Sequence, residues 1–267
     1  MARTGDTDGD GVWDLVAAAR TWGGASGPAQ FTGKAFLLSG ATGGVLLEWT
    51  GPAPLAYFGT TVAGPGDVDG DGTSDVAVGT LWSGAFVYSG SDGALLFSIA
   101  GGSGIGGPGD IDGDGYADIA AAVTASPGVP AAAHVYSGAD GSLLLNLNIA
   151  PGAYHFAGPG DLDSDGTDDL LVSTPQFCAF GQYCTIPQVF GYSCASGALL
   201  GEPLGAGPGG VFGGGSFTFG ETMAGLGDLT GDGVPDLAIG APGATTGTYM
   251  LSSPGEVRLF SGAGFSL

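Results

Sequence analysis

A chain of 267 residues is long enough to bury one large all-β domain or two average ones, and a hydrophobic fraction of 43% excludes a disordered acidic tail. The net charge of −22, from 26 acids against Arg3, Arg20, Lys34 and Arg258, excludes a basic footprint for nucleic acid or an anionic membrane surface. No apolar run approaches the ~20 residues that span a bilayer, so no membrane insertion is expected, and the 57 glycines suit short strands joined by many tight turns.

The chain opens with Met1-Ala-Arg-Thr-Gly-Asp6, which has no apolar signal-peptide core and begins almost inside a repeat. We expect an extracellular or cell-surface protein whose secretion signal lies outside this sequence. The repeat is Asp-x-Asp-Gly-Asp-Gly, in five registers that start at Asp6, Asp67, Asp110, Asp161 and Asp228, offset by 61, 43, 51 and 67 residues. A period of that size marks blades, solenoids or arrays.

Each register has the same flanks. A Gly-rich approach precedes the loop, starting from Phe58-Gly59, Phe156-Ala157 and Phe219-Gly220, with Ile105-Gly106 in the third register. A short apolar run follows it, at residues 15–17, 76–78, 119–121, 170–172 and 237–239. After a variable loop comes a third run, at 35–38, 85–88, 133–136, 189–192 and 257–260, then a Ser-Gly-x-x-Gly type turn and a fourth run such as 94–97 or 142–145. None of these holds a 3.6-residue apolar period long enough for a helix, whereas all have strand length. Four antiparallel strands per repeat make one blade of a β-propeller, which leaves only short sheet edges exposed. The predicted fold is therefore a single all-β propeller domain over 1–267, with units near 1–50, 51–99, 100–149, 150–201 and 202–267. The first unit is expected to lack its innermost strand, because Asp6 lies so near the start, and the last to stop where its fourth strand should begin. The ends either pair to close a five-bladed ring or belong to a larger one, and the segment reading is preferred.

In Asp67-Val-Asp69-Gly-Asp71-Gly72-Thr73-Ser-Asp75 the carboxylates occupy positions 1, 3, 5 and 9, with Gly at position 6 for a sharp turn. Four such charges about 4 Å apart would make six repulsive pairs of roughly 1 kcal/mol each even at water's dielectric. A hard cation removes that penalty, and flexible all-oxygen ligation suits Ca²⁺ better than Mg²⁺. The equivalent sets are Asp6, Asp8, Asp10, Asp14; Asp110, Asp112, Asp114, Asp118; and Asp161, Asp163, Asp165, Asp169. The fifth set is Asp228, Thr230, Asp232, Asp236, where a neutral hydroxyl at position 3 should weaken binding. Up to five Ca²⁺ ions are thus expected. An EF-hand shares the first six positions but needs Glu at position 12 between helices; position 12 here is Ala17, Val78, Ala121, Val172 or Ile239.

The pattern resembles the FG-GAP repeats of integrin α-subunit head propellers and related secreted bacterial proteins, most fully at Phe219-Gly220, Gly227-Asp228 to Asp236, and Gly240-Ala241-Pro242. The resemblance implies that each acidic loop joins the first two strands of a blade. It implies Ca²⁺ binding through positions 1, 3, 5 and 9 with the main-chain carbonyl of position 7, here Val12, Thr73, Tyr116, Thr167 and Val234. It also implies a ligand surface on the opposite face of the propeller. Integrin heads have seven blades of which only some carry calcium, and nothing here identifies an integrin β-subunit partner.

The function expected is an adhesion or protein-recognition module with calcium as a structural staple. Its ligand would lie on the loops 21–33, 81–84, 126–131, 174–187 and 205–216, which carry Trp22, Phe31, Trp82, Phe177, Phe180 and Tyr183. A carbohydrate-binding propeller that stacks a sugar on Trp22, Trp49 or Trp82 is the alternative. Catalysis is not expected: His134 and His155 sit at positions that suggest packing, and two His with four Lys or Arg supply little acid–base material. Cys178, Cys184 and Cys194 cluster in one repeat, and a Cys178–Cys184 link and three free thiols both stay open.

Overall fold

The computed structural model describes residues 1–81, 83–100, 104–123, 132–147, 149, 155–174, 187–205, 219–242 and 255–265. The fold is all-β, a β-propeller of five antiparallel blades. Two compact units divide the chain, Met1–Leu147 and Asn148–Leu267. In the first, one blade is β1 (Ala2–Arg3), β2 (Leu15–Ala19), β3 (Lys34–Leu38) and β4 (Val45–Thr50), paired in that order. The second blade is β5 (Thr61–Ala63), β6 (Val76–Gly79), β7 (Ala85–Tyr88) and β8 (Leu95–Ile99), and the third is β9 (Ile105–Gly109), β10 (Asp118–Val123), β11 (Ala132–Tyr136) and β12 (Leu143–Leu147). The second unit holds a fourth blade, β13 (His155–Gly160), β14 (Asp169–Thr174), β15 (Gln188–Tyr192) and β16 (Leu204–Gly205), and a fifth, β17 (Thr222–Gly227), β18 (Asp236–Ala241) and β19 (Glu256–Phe260).

From the second blade on, the second strands are buried on both faces, so they read as continuous apolar runs: Val76, Ala77 and Val78 are all inaccessible, as are Leu170, Leu171 and Val172. The outer strand of the second blade has one wet face instead, with Ser98 exposed beside buried Ile99, as the pleat requires of adjacent residues. Val16, Ala35, Leu37 and Trp49 pack with Val76 and Val78 in one core. Ala77, Val87 and Ile99 pack with Ile119 and Ala121 in another, and Leu171 and Val189 pack with Leu237 and Ile239 in the second unit.

The first blade departs from expectation. It does have an innermost strand, because two ladder residues suffice: Ala2 pairs with Val16 and Arg3 with Leu15. Among the described residues the fifth sheet has three strands, followed by a short 3₁₀ turn at Gly262–Phe265.

Candidate metal centres

Each acidic loop folds around its first aspartate. Asp67 Oδ1 accepts the N–H groups of Gly70 (2.7 Å) and Asp71 (3.1 Å), and its Oδ2 accepts that of Gly72 (2.8 Å). Asp69 Oδ1 accepts from Asp71 (3.1 Å), and Asp71 Oδ1 from Thr73 (2.8 Å). This is a run of side-chain turns that Asp favours because its short carboxylate reaches its own backbone two to five residues on. Gly70 and Gly72 hold φ of 76° and 90°, the left-handed region that a side chain at those two positions would strain. The same bonds recur around Asp6, Asp110 and Asp228. In the fourth loop Asp161 takes Asp165 and Gly166, and Ser164, at φ 61°, stands where the others have Gly.

The geometry brings three acids of each of four loops together. Asp6, Asp8 and Asp10; Asp67, Asp69 and Asp71; Asp110, Asp112 and Asp118; and Asp161, Asp163 and Asp169 each offer oxygens within 4.8 Å of one another. Asp114 and Asp165 stay in their loops, each accepting the position-7 N–H, from Tyr116 and from Thr167, both at 2.9 Å. The same bond fixes Val12 on Asp10 (2.8 Å) and Val234 on Asp232 (3.0 Å). An all-carboxylate donor set of this kind fits a hard divalent cation, and such groups could hold a metal ion. The fifth loop, with Asp228, Asp232 and Asp236, is not among these groups. Its Thr230 turns to Asp236, with the N–H on Oδ2 at 2.8 Å and the hydroxyl on Oδ1 at 3.4 Å.

Position 9 does more than the sequence suggests. Asp14, Asp75, Asp118, Asp169 and Asp236 are all buried. In each, Oδ2 accepts the position-2 N–H: Thr7 (2.8 Å), Val68 (2.7 Å), Ile111 (2.8 Å), Leu162 (2.6 Å) and Leu229 (2.7 Å). The other oxygen accepts an N–H from the turn after the third strand: Gly40 (2.9 Å), Gly90 (2.9 Å), Gly138 (3.1 Å), Cys194 (3.3 Å) and Gly262 (3.3 Å). A serine of the turn also reaches the loop in three blades: the turn's first serine in Ser193 on Asp165 (3.2 Å) and Ser261 on Asp232 (2.9 Å), and in the second blade Ser91, two residues after that position, on Asp71 (2.6 Å). The recurrent Ser-Gly after the third strand was the signal for these partners, and reading it only as a turn missed them.

Burial pushes the carboxyls of Asp75 and Asp118 up to about 6 and that of Asp169 to about 7, against the backbone hydrogen bonds that oppose it; the neighbouring loop carboxylates add to the rise. Burial acts on Asp14 as well, but the Thr7 hydroxyl and the Gly40 and Thr7 N–H groups outweigh it and hold that carboxyl below its usual range.

Of the other candidates, Trp22 is exposed, with Lys34 Nζ 4.5 Å from its ring centroid, and Phe31 stacks on Tyr57 with centroids 5.2 Å apart. Trp49 is buried and donates Nε1–H to the Gly93 carbonyl at 3.0 Å, so its ring is not open to a sugar. Trp82, Phe177, Phe180, Tyr183, Cys178 and Cys184 lie outside the described residues. His134 is half-buried, 3.0 Å from the Tyr136 hydroxyl, and burial pushes both it and His155 down. Cys194 is buried.

Residues 219–255 match the model of the FG-GAP repeat, so the fifth blade carries the repeat that the loop pattern suggested. Among solved structures, the chain is similar to hydrazine synthase of Kuenenia stuttgartiensis, at 15% identity and a TM-score of 0.50, over 80% of this chain and 50% of that one. It is also similar to the rhamnogalacturonan lyase YesW, at 16% identity and a TM-score of 0.43, over 84% of this chain and 53% of that one. The chain thus spans about half the length of these proteins, and at such identity the first likeness concerns the fold alone. No helix among the described residues is long and apolar enough to cross a membrane.

Proposed function

We propose that the chain is a calcium-stapled recognition propeller that works outside the cell, where millimolar calcium keeps modest sites filled. The observation that carries this reading is the fourfold recurrence of three carboxylates whose oxygens lie within 4.8 Å, each on a loop between the first and second strands of a blade. Calcium neutralises the clustered charge when bound. The chain's part is to hold the oxygens in place: position 1 organises the loop backbone, positions 3 and 5 face solvent, and position 9 anchors the loop to the sheet. None of these groups is arranged as a nucleophile with its base, which favours binding over turnover.

The recognition surface in this reading is built from the loops between the second and third strands, with a protein ligand as the first partner class. A glycan is the second reading, favoured by the exposed ring of Trp22 under Lys34. Equilibrium dialysis with labelled calcium tests the metal assignment, and absence of saturable uptake at millimolar calcium would refute it. A glycan array separates the partner classes: sugar binding that disappears in Trp22→Ala selects the glycan, while a blank array with retained protein binding selects adhesion.

A further inference from the structure

The third acidic loop reaches the second through a residue type that the other loops lack. Loop position 7 is Val12, Thr73, Thr167 or Val234 elsewhere and an aromatic, Tyr116, in the third loop. That half-buried ring crosses to the preceding blade and lies over Gly70 of the second loop, where a Cβ would come within 2.6 Å of Tyr116 Cε1. The matching glycines Gly9, Gly113 and Gly231 have nothing within 4 Å at that point.

The next residue makes a second contact. Ala117 donates its N–H to the Asp67 carbonyl at 2.7 Å, and its methyl packs on Gly66, where a Cβ would lie 2.8 Å away. In the fifth loop the same position 8 is Pro235, which stands against Gly160 of the fourth blade and has no N–H to give. Asp67 is the residue that organises the second loop, since its carboxylate holds the N–H groups of Gly70, Asp71 and Gly72. On its other side Ala117 is flanked by two anchored neighbours. The Tyr116 N–H is fixed on Asp114 Oδ1 at 2.9 Å, and Asp118 belongs to the third group of clustered carboxylates. Residues 114–118 are therefore part of one acidic loop while they brace another.

We propose that Tyr116 and Ala117 complete the second calcium site from the third blade, so that these two loops bind calcium as a coupled pair. This rests on the calcium reading given above. Ordering residues 114–118 around a cation in the third loop sets the Ala117 N–H and the Tyr116 ring against the second loop, which then has less freedom to lose when its own cation binds. Charge acts in the opposite sense, because a cation in one loop repels a cation in the other. By charge alone Asp112→Ala, which leaves the third loop without its cation and with three acids, should tighten the second. By contact it should weaken it.

The test is a calcium titration of the full, isotopically labelled chain in physiological salt, which screens the charges. The amide resonances of Gly72 and Gly115, each bonded to the first aspartate of its loop, report the second and third sites by NMR. Asp112→Ala should raise the calcium midpoint at Gly72 about fivefold or more, and Asp69→Ala should raise that at Gly115 by the same factor, since equilibrium coupling is reciprocal. In an Ala117→Pro background, which removes the N–H and puts at position 8 the residue that the fifth loop already carries there, the shift from Asp112→Ala should vanish. Tyr116→Ala, which keeps the backbone donor, should reduce it, and it stands in if circular dichroism shows that Ala117→Pro does not fold. A midpoint at Gly72 that Asp112→Ala leaves unchanged or lowers overturns the proposal and leaves calcium binding intact, as does a shift that survives undiminished in every folded variant of Tyr116 or Ala117. No calcium response at either glycine overturns the calcium reading and the coupling together.

Discussion

The backbone N–H of Gly90 donates to Asp75 Oδ1 at 2.9 Å, which ties the turn after the third strand of the second blade to its acidic loop. Asp75 Oδ2 takes Val68 N–H at 2.7 Å, so one buried carboxylate satisfies two donors from segments that the sequence separates. Asp75→Ala leaves both donors without a partner, at roughly 1–3 kcal/mol each. It should lower the urea midpoint even when calcium is chelated. Asp69→Ala, at an exposed position, should leave the chelated midpoint unchanged or raise it, because it removes one of the repelling carboxylates, and should lower only the calcium-bound one. Equal losses for the two variants without calcium would remove the distinction between anchor and ligand.

The pH dependence should reverse with calcium. Asp75, Asp118 and Asp169 titrate in the folded state at about 6, 6 and 7, above their ordinary value of 3.8. A group raised in this way binds more protons folded than unfolded, so its contribution to stability is fully present below 3.8 and is lost as pH rises through 6 to 7. The chelated protein should therefore melt higher at pH 5 than at pH 7.5. With calcium the order should invert, because the ligands must be deprotonated. Melts that fall with acid in both conditions would contradict the assigned shifts.

Blade contact depends on particular glycines. A Cβ at Gly107 would stand 2.5 Å from Pro65 Cα and 2.8 Å from its carbonyl oxygen, backbone atoms that cannot yield cheaply. Gly107→Ala should cost roughly 1–3 kcal/mol, the usual range for overpacking. Gly264→Ala, with open space and an ordinary φ, should change stability by less than about 0.5 kcal/mol. Chemical denaturation of the two variants checks this, and a neutral Gly107→Ala would mean that the blades approach less closely.

What the sequence made legible follows from locality. In each blade the acidic loop and the second and third strands follow one another within about forty residues, and the set recurs five times, so their spacing alone located Val76–Gly79 and Ala85–Tyr88 to within a residue. The two-residue strand Ala2–Arg3 was invisible because it is too short to carry a period. The double role of Asp75 and its equivalents was hidden because a ligand aspartate and an anchor aspartate look alike in sequence. Trp49 read as a free ring because what buries it, the turn at Gly93, belongs to the next repeat.

The five loops should not bind equally. Thr230 supplies a hydroxyl that is already turned to Asp236, leaving the fifth loop with three acids, and affinity follows ligand charge. Calorimetric titration should resolve a weaker fifth site, and Thr230→Asp should tighten that site without altering the rest. Five equivalent sites in the parent chain would contradict this.

The most direct test of the calcium account is a thermal melt of the full chain in 1 mM calcium, then with chelator, then with calcium restored. If each site has a dissociation constant of about 10⁻⁴ M, 1 mM calcium adds about 1.4 kcal/mol per site by preferential binding to the folded state. Four or five such contributions rival the ~5–15 kcal/mol net stability of an ordinary domain. We expect the melting temperature to fall by more than 10 °C on chelation, given roughly 2–4 °C per kcal/mol at this size, and to recover fully on add-back. An unchanged melt would contradict the account.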